Sequence, residues 1–221
     1  MRIKAVLYDL GDTLFEAHYW RKWNYDEILK LGKFKGSFSD FYDLYESFLL
    51  PVYENKIGYE TGFDHFLEFL KIPNAEKFKQ ESFAKKKYFE ANRVLFPMVK
   101  ETLAILFDRG IKNIIVTDNE LSENEIEDTV IGRFGINPYL DKIISSKSFG
   151  MTKSNPELFV KVLGLFQLKT EEVLFVGHDK DEIEGASNLG IKTVLFNNYL
   201  NKEVSSSFTI RSFNDILGII E

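Results

Sequence analysis

VLYDLGDTLF, residues 6–15, governs how the rest of the chain is read. Residues 3–9, IKAVLYD, make a short, mostly apolar run, expected as a strand buried on both faces in a parallel sheet. The run ends on Asp9, and an acid at the carboxyl end of a buried strand is usually there for chemistry. Two residues later, where a second acid would assist, stands Gly11. Asp12, between Gly11 and Thr13, reads as a turn or capping residue, since a short carboxylate bonds nearby backbone N–H groups.

Outward from this stretch the pattern changes twice. From Phe15 to Phe96 it is helical and rich in aromatics: YDEILKLGKF, FSDFYDLYESFLL, GFDHFLEFLKI and FKQESFAKKKYFEANRVLF all place apolar residues three or four apart. After Pro97, helix and strand patterns alternate. VKETLAILFDRG reads as a helix closed by Gly110, and IKNIIVTDN as a strand. YLDKIISS is a short strand, and NPELFVKVLGLF a helix with Pro156 near its start. EEVLFVGHD and IKTVLFN read as strands around the helix DEIEGASNLG, and FTIRSFNDILGII as a last strand and helix. Such alternation requires right-handed crossovers and a parallel sheet. The expected fold is therefore α/β: a Rossmann-like parallel sheet core formed by residues 1–14 and 97–221, with an all-α helical cap at 15–96.

Composition removes several functions. Hydrophobic residues at 44% and charged residues at 28% support a packed core and argue against extensive disorder. A net charge of −6 disfavours a nucleic-acid groove, which needs a basic surface. The absence of cysteine excludes disulfides, zinc–thiolate sites and a cysteine nucleophile. MRIKAVLYDL is too short and too soon interrupted by charge for a signal peptide, and no apolar run approaches the ~18 residues that span a bilayer. The expectation is a soluble cytoplasmic protein, monomer or homodimer, without membrane or nucleic-acid partners.

Ligands of open parallel sheets bind beyond the carboxyl ends of the strands. There the chain delivers Asp9, then Thr117 with Asp118 and Asn119, then Lys153, then the HDKDE run after Gly177. In type and order these motifs resemble the haloacid dehalogenase superfamily, mostly phosphatases. DLGDTL matches the first motif with its nucleophilic Asp, VTDN the second, GMTKSNPELF the third and VGHDKDEIEGASNLG the fourth. The helical insert falls where that family carries a small α-helical cap. The similarity covers nearly the whole chain, and four motifs in sequence are specific where any one would be weak.

The chemistry is coherent on its own terms. A carboxylate at Asp9 can attack phosphorus and form an acyl phosphate that water hydrolyses. Its charge repels a phosphate dianion, so a cation and a lysine must neutralise the site. Mg²⁺ takes hard oxygen ligands, here expected from the Asp9 carboxylate, the Gly11 carbonyl and an acid of HDKDE. Thr117 and the Asp118 N–H would bond phosphate oxygens, and Lys153 would pair with phosphate and nucleophile. The expected substrate is a small phosphorylated metabolite.

Two positions depart from the family pattern. Gly11 stands where phosphatases of the family commonly carry an acid–base Asp, a group typically worth ~10²–10⁴ in rate. His178 stands where the family usually has a metal-binding Asp; Asp179 is expected to substitute as the nearest acid, and Glu182 falls where the second loop acid sits. A 2-haloacid dehalogenase-type hydrolase, with the same Asp attacking carbon, is one alternative, and a degenerate relative that binds a ligand or partner without turnover is another. HYWRKW, residues 18–23, enters the cap and offers Arg21 and two Trp either as a wall over substrate or as packing.

Overall fold

The computed structural model describes residues 2–220. Strand β1 (Ala5–Tyr8) is followed by four helices, α1 (Tyr19–Lys30), α2 (Phe38–Tyr53), α3 (Tyr59–Phe69) and α4 (Ala75–Ala91). Then come α5 (Val99–Asp108), β2 (Lys112–Thr117), a short α6 (Glu123–Ile126), β3 (Lys142–Ser145), α7 (Ser146–Phe149), α8 (Pro156–Phe166) and β4 (Val173–Gly177). The chain closes with α9 (Lys180–Ser187), β5 (Lys192–Phe196), β6 (Phe208–Ile210) and α10 (Ile216–Ile220).

All neighbouring strands pair in parallel, in the order β3-β2-β1-β4-β5-β6. β1 thus lies inside the sheet, and all four of its residues are buried, which accounts for its unbroken apolar character. Alternate residues feed opposite faces. Val6 and Tyr8 pack with Leu103, Ile115 and Phe213 on one side, while Ala5 and Leu7 pack with Ile114, Leu158 and Phe175 on the other. Registry brings the strand ends level: Tyr8 lies opposite Ile115 and Val176, and Thr117 opposite Ser145.

Helices α1–α4 bury an apolar cluster of their own, including Trp20, Ile28, Phe41, Tyr45, Phe63 and Phe66. Trp20 belongs to this cluster, and its indole N–H donates to the Ser82 carbonyl at 2.7 Å. The last helix stops at Ala91, short of the expected RVLF. That stretch is extended instead: Leu95 pairs antiparallel with Phe15, and the Phe96 N–H donates to the Leu14 carbonyl at 2.9 Å. The two chain crossings between helices and sheet are thereby tied together. Residues 127–139, for which the sequence pattern specifies nothing regular, form a π turn and two short 3₁₀ turns after α6.

Gly185 shows how closely α9 must approach the loop before α8. A Cβ there would lie 2.0 Å from the Lys153 carbonyl oxygen, backbone against backbone. Gly185→Ala is therefore expected to cost about 1–3 kcal/mol by overpacking. The urea midpoint should fall without a change in m-value. An unchanged midpoint would contradict this packing.

Candidate active site

Asp9 emerges one residue past β1, buried, with its N–H bonded to the Val176 carbonyl at 2.9 Å. Lys153 reaches it from the loop before α8: its Nζ donates to Asp9 Oδ1 and lies 2.9 Å from Glu182 Oε2. His178 Nδ1 faces the same two carboxylates, 3.4 Å from Asp9 Oδ2 and 3.3 Å from Glu182 Oε1. Thr13 Oγ1 completes the surround, donating to Asp9 Oδ2 at 3.3 Å. Two carboxylates and two cations, all nearly out of solvent, thus form one closed charge set.

Each group answers to that arrangement. Burial alone would raise the Asp9 carboxyl, but Lys153 and His178 hold it below its ordinary value. Burial would lower His178; Glu182 and Asp9 instead lift it well above the usual imidazole range. Lys153 is likewise raised by Asp9 and Glu182 against its burial. Asp118 behaves differently. Burial pushes its carboxyl up to about 7 despite the nearby Lys153. Its Oδ1 accepts the Lys153 backbone N–H at 3.0 Å, which anchors the loop that presents the lysine.

Asp9, Gly11, Thr117, Asp118, Lys153 and Glu182 all line one cavity of about 1060 Å³. Asp179 lines it too, but its carboxylate is not brought to Asp9. It caps the start of α9 and receives Lys202 Nζ at 3.1 Å, and Lys202 also reaches Asp43 of α2 at 2.6 Å. Successive side chains after β4 thus find different partners, His178 meeting Asp9 and Asp179 meeting Lys202. Glu182, one helical turn on, comes back to the site; its Oε1 also accepts the N–H groups of His178 (2.6 Å) and Asp179 (2.9 Å).

Gly11 leaves little room for the acid it lacks, since a Cβ there would lie 3.1 Å from the Ala17 Cβ. Asp12 sits in the left-handed region, φ 58°, and its Oδ1 accepts the N–H of Ala17 at 2.8 Å and meets His18 Nδ1 at 2.7 Å. It is the turn residue that folds Ala17 back against Gly11. From the helical side the cavity is walled by Arg21, Tyr42, Tyr45, Lys86 and Arg93. Of these only Arg21 stood out in the sequence as a wall over substrate, and it lies half-buried over the rings of Tyr42 and Tyr45 with Glu46 at 2.9 Å. Thr13 and His178 also emerge as contacts of Asp9 only in the folded chain.

A cation fits part of this donor set. Asp9, His178 and Glu182 offer buried ligand atoms all within 4.8 Å of one another. The two carboxylates are the hard oxygens that Mg²⁺ prefers; the imidazole is not.

The family model described as haloacid dehalogenase-like hydrolase matches residues 55–196. Pyrophosphatase PpaX of Halalkalibacterium halodurans is 24% identical over 229 aligned positions, covering 100% of this chain and 98% of the relative. A glyceraldehyde 3-phosphate phosphatase of Methanocaldococcus jannaschii is 28% identical, covering 99% and 97%. Among solved structures, the HAD-hydrolase YfnB from Bacillus subtilis, bound to magnesium, aligns with a TM-score of 0.73 at 16% identity, covering 100% and 99%. The L-2-haloacid dehalogenase from Xanthobacter autotrophicus aligns with a TM-score of 0.69 at 16% identity, covering 99% and 98%. At such identities these structures speak to the fold alone, which they share with this chain. With the family model matched over most of its length, the chain belongs to the haloacid dehalogenase-like hydrolases.

Proposed function

We propose that this hydrolase is a phosphatase that moves the phosphoryl group of a small phosphorylated metabolite first to Asp9 and then to water. The observation that carries the reading is the buried Asp9, kept ionised between Lys153 and His178 on the wall of the cavity. The phosphatase names of the two relatives favour phosphorus over carbon as the atom attacked. Residues 15–96 act as the cap that closes over substrate and excludes water, with 1–14 and 97–221 as the catalytic core. The ties Lys86–Glu120 at 2.7 Å and Lys202–Asp43 at 2.6 Å join the helical segment to the core.

In this mechanism an Asp9 oxygen attacks phosphorus in line with the leaving oxygen. Lys153 pairs with the incoming phosphate and offsets its repulsion by Asp9. Thr117 and the Asp118 N–H bond the non-bridging phosphoryl oxygens, which move with phosphorus. Asp9 and Glu182, with the Gly11 carbonyl, would hold a Mg²⁺, which when bound supplies further charge neutralisation. His178 supports the nucleophile as a cation from the opposite side of the ligand set.

Three outcomes test this. Asp9→Asn should reduce turnover of aryl, acyl and alkyl phosphates to the uncatalysed background; activity equal to the parent would sink the mechanism. A positive His178 beside Asp9 opposes a dication, so His178→Asp should tighten Mg²⁺ binding at least tenfold by calorimetry, the sign expected from replacing a nearby cation by an anion. Weaker binding would show that the imidazole itself is a ligand.

The third outcome concerns pH. Asp118 protonates with a value of about 7 in the folded chain and ~3.9 unfolded, so the native state holds the extra proton between them. Its contribution to stability is present at low pH and is lost as pH rises from about 4 to 7. Above 7 its negative charge adds to the repulsion of phosphate, so KM should climb through neutrality. Asp118→Asn keeps the acceptor for the Lys153 N–H and should flatten that climb; a KM profile identical to the parent's would refute the assignment.

A further inference from the structure

His178 is the group of the buried charge set whose direction its own hydrogen bonds settle least. Its Nδ1 lies 3.4 Å from Asp9 Oδ2 and 3.3 Å from Glu182 Oε1, long for charge-assisted bonds. Its Nε2 is buried and, among the described residues, has no hydrogen-bond partner. An imidazole that serves a reacting group ordinarily has its far nitrogen bonded, and that second bond fixes the ring. The torsion that turns a histidine ring is broad, so without such a bond Nδ1 is free to swing off the carboxylates. Something other than a hydrogen bond has to hold the plane.

Tyr199 is placed to do so. It lies in the loop between β5 and β6, and its ring stacks on that of His178 with centroids 5.7 Å apart and planes 13° from parallel. The same ring stacks on His18 at 4.4 Å and 20°, and meets the Tyr42 ring edge-on at 6.3 Å. Both of these neighbours belong to the helical segment, His18 as the N-cap of α1 and Tyr42 within α2. His18 is itself pinned, because its Nδ1 meets Asp12 Oδ1 at 2.7 Å. The Tyr199 N–H donates to the Asn197 carbonyl at 2.7 Å, and Asn197 Nδ2 donates to the Asp12 carbonyl at 2.9 Å. A closed path of contacts thus leads from Asp12 through His18 and Tyr199 to His178 and on to Asp9. His178 lines the cavity and Tyr199 does not, so Tyr199 acts on the site through its neighbour.

We propose that Tyr199 is a positioning residue for the reaction at Asp9: its ring holds the His178 imidazole with Nδ1 toward Asp9 and Glu182, and is held in turn by His18 and Tyr42. This rests on the reading of Asp9 as the phosphoryl acceptor. The hold is exerted by the face of the ring, so a phenyl group serves in place of the phenol and an aliphatic side chain does not.

The chain has three histidines, His18, His65 and His178, so imidazole proton–carbon NMR reads each one, with His65 on α3 as the reference for an intact fold. Tyr199→Leu should move the His178 and His18 ring signals downfield as the ring-current shielding is lost, while Tyr199→Phe leaves them in place. Loss of the His65 signal would report unfolding of the Leu variant, in which case Tyr199→Met replaces it. With 4-nitrophenyl phosphate and Mg²⁺, Tyr199→Leu should lower kcat roughly 10- to 100-fold, as displacement of a supporting group does, with KM close to the parent's. Tyr199→Phe should keep the parent's kcat. In a His178→Gln background the Tyr199→Leu change should be silent, because it acts through the imidazole. A full second loss in that background, or equal losses for Phe and Leu, would overturn the positioning role. A His178 signal that moves in Tyr199→Leu, in a parent that turns over no phosphate, would remove the phosphatase reading and leave the hold on His178 standing. An unmoved signal beside intact turnover would do the reverse.

Discussion

The buried charge set of Asp9, Lys153, Glu182 and His178 is the constraint on which the rest of this structure depends. Isolated, any of these charges would be expelled from the interior or neutralised. Together they cancel, two negative against two positive, within hydrogen-bonding or near hydrogen-bonding distance. The fold exists around that cancellation. β1 has to lie within the sheet so that Asp9 emerges between β2 and β4. The loop before α8 has to come close enough for Lys153 to reach across, and Gly185 permits it. The capping of α9 by Glu182 keeps the second carboxylate in place with the same oxygen that the N–H groups of His178 and Asp179 share.

Such a set is stable because it is complete. Removing one partner of a buried pair leaves an uncompensated charge and costs about 3–5 kcal/mol. In the proposed reaction a phosphate dianion brought to Asp9 would disturb the same balance, and the cations that hold the carboxylate would also receive the phosphate. Two of the cavity's other cations tie helices to core, Lys86 to Glu120 and Lys202 to Asp43.

Much of this was legible in the chain before folding. The apolar run ending in Asp9, the strand–helix alternation after Pro97 and the helical stretch before it fix which residues end on the carboxyl edge of the sheet, because a parallel sheet levels its strand ends. Asp9 and Thr117 lie there for that reason, and Lys153 comes from the loop before α8. What the pattern could not supply is direction within a loop. Asp179 is the nearer acid to β4, yet the start of α9 takes its carboxylate as a cap and Lys202 pairs with it, while His178 meets Asp9. Nor does local pattern reveal contacts made across the fold: RVLF has the apolar spacing of a helix, but pairing of Leu95 with Phe15 wins and places Arg93 over the Phe15 ring.

The central claim is that phosphorus is carried on Asp9. Rapid acid quench of the enzyme during turnover of an acyl phosphate, followed by peptide mass mapping, tests it most directly. The account predicts a phosphoryl adduct confined to the peptide that holds Asp9, labile to hydroxylamine as an acyl phosphate must be. Steady product release with no adduct on that peptide, or with the adduct on another residue, would contradict it.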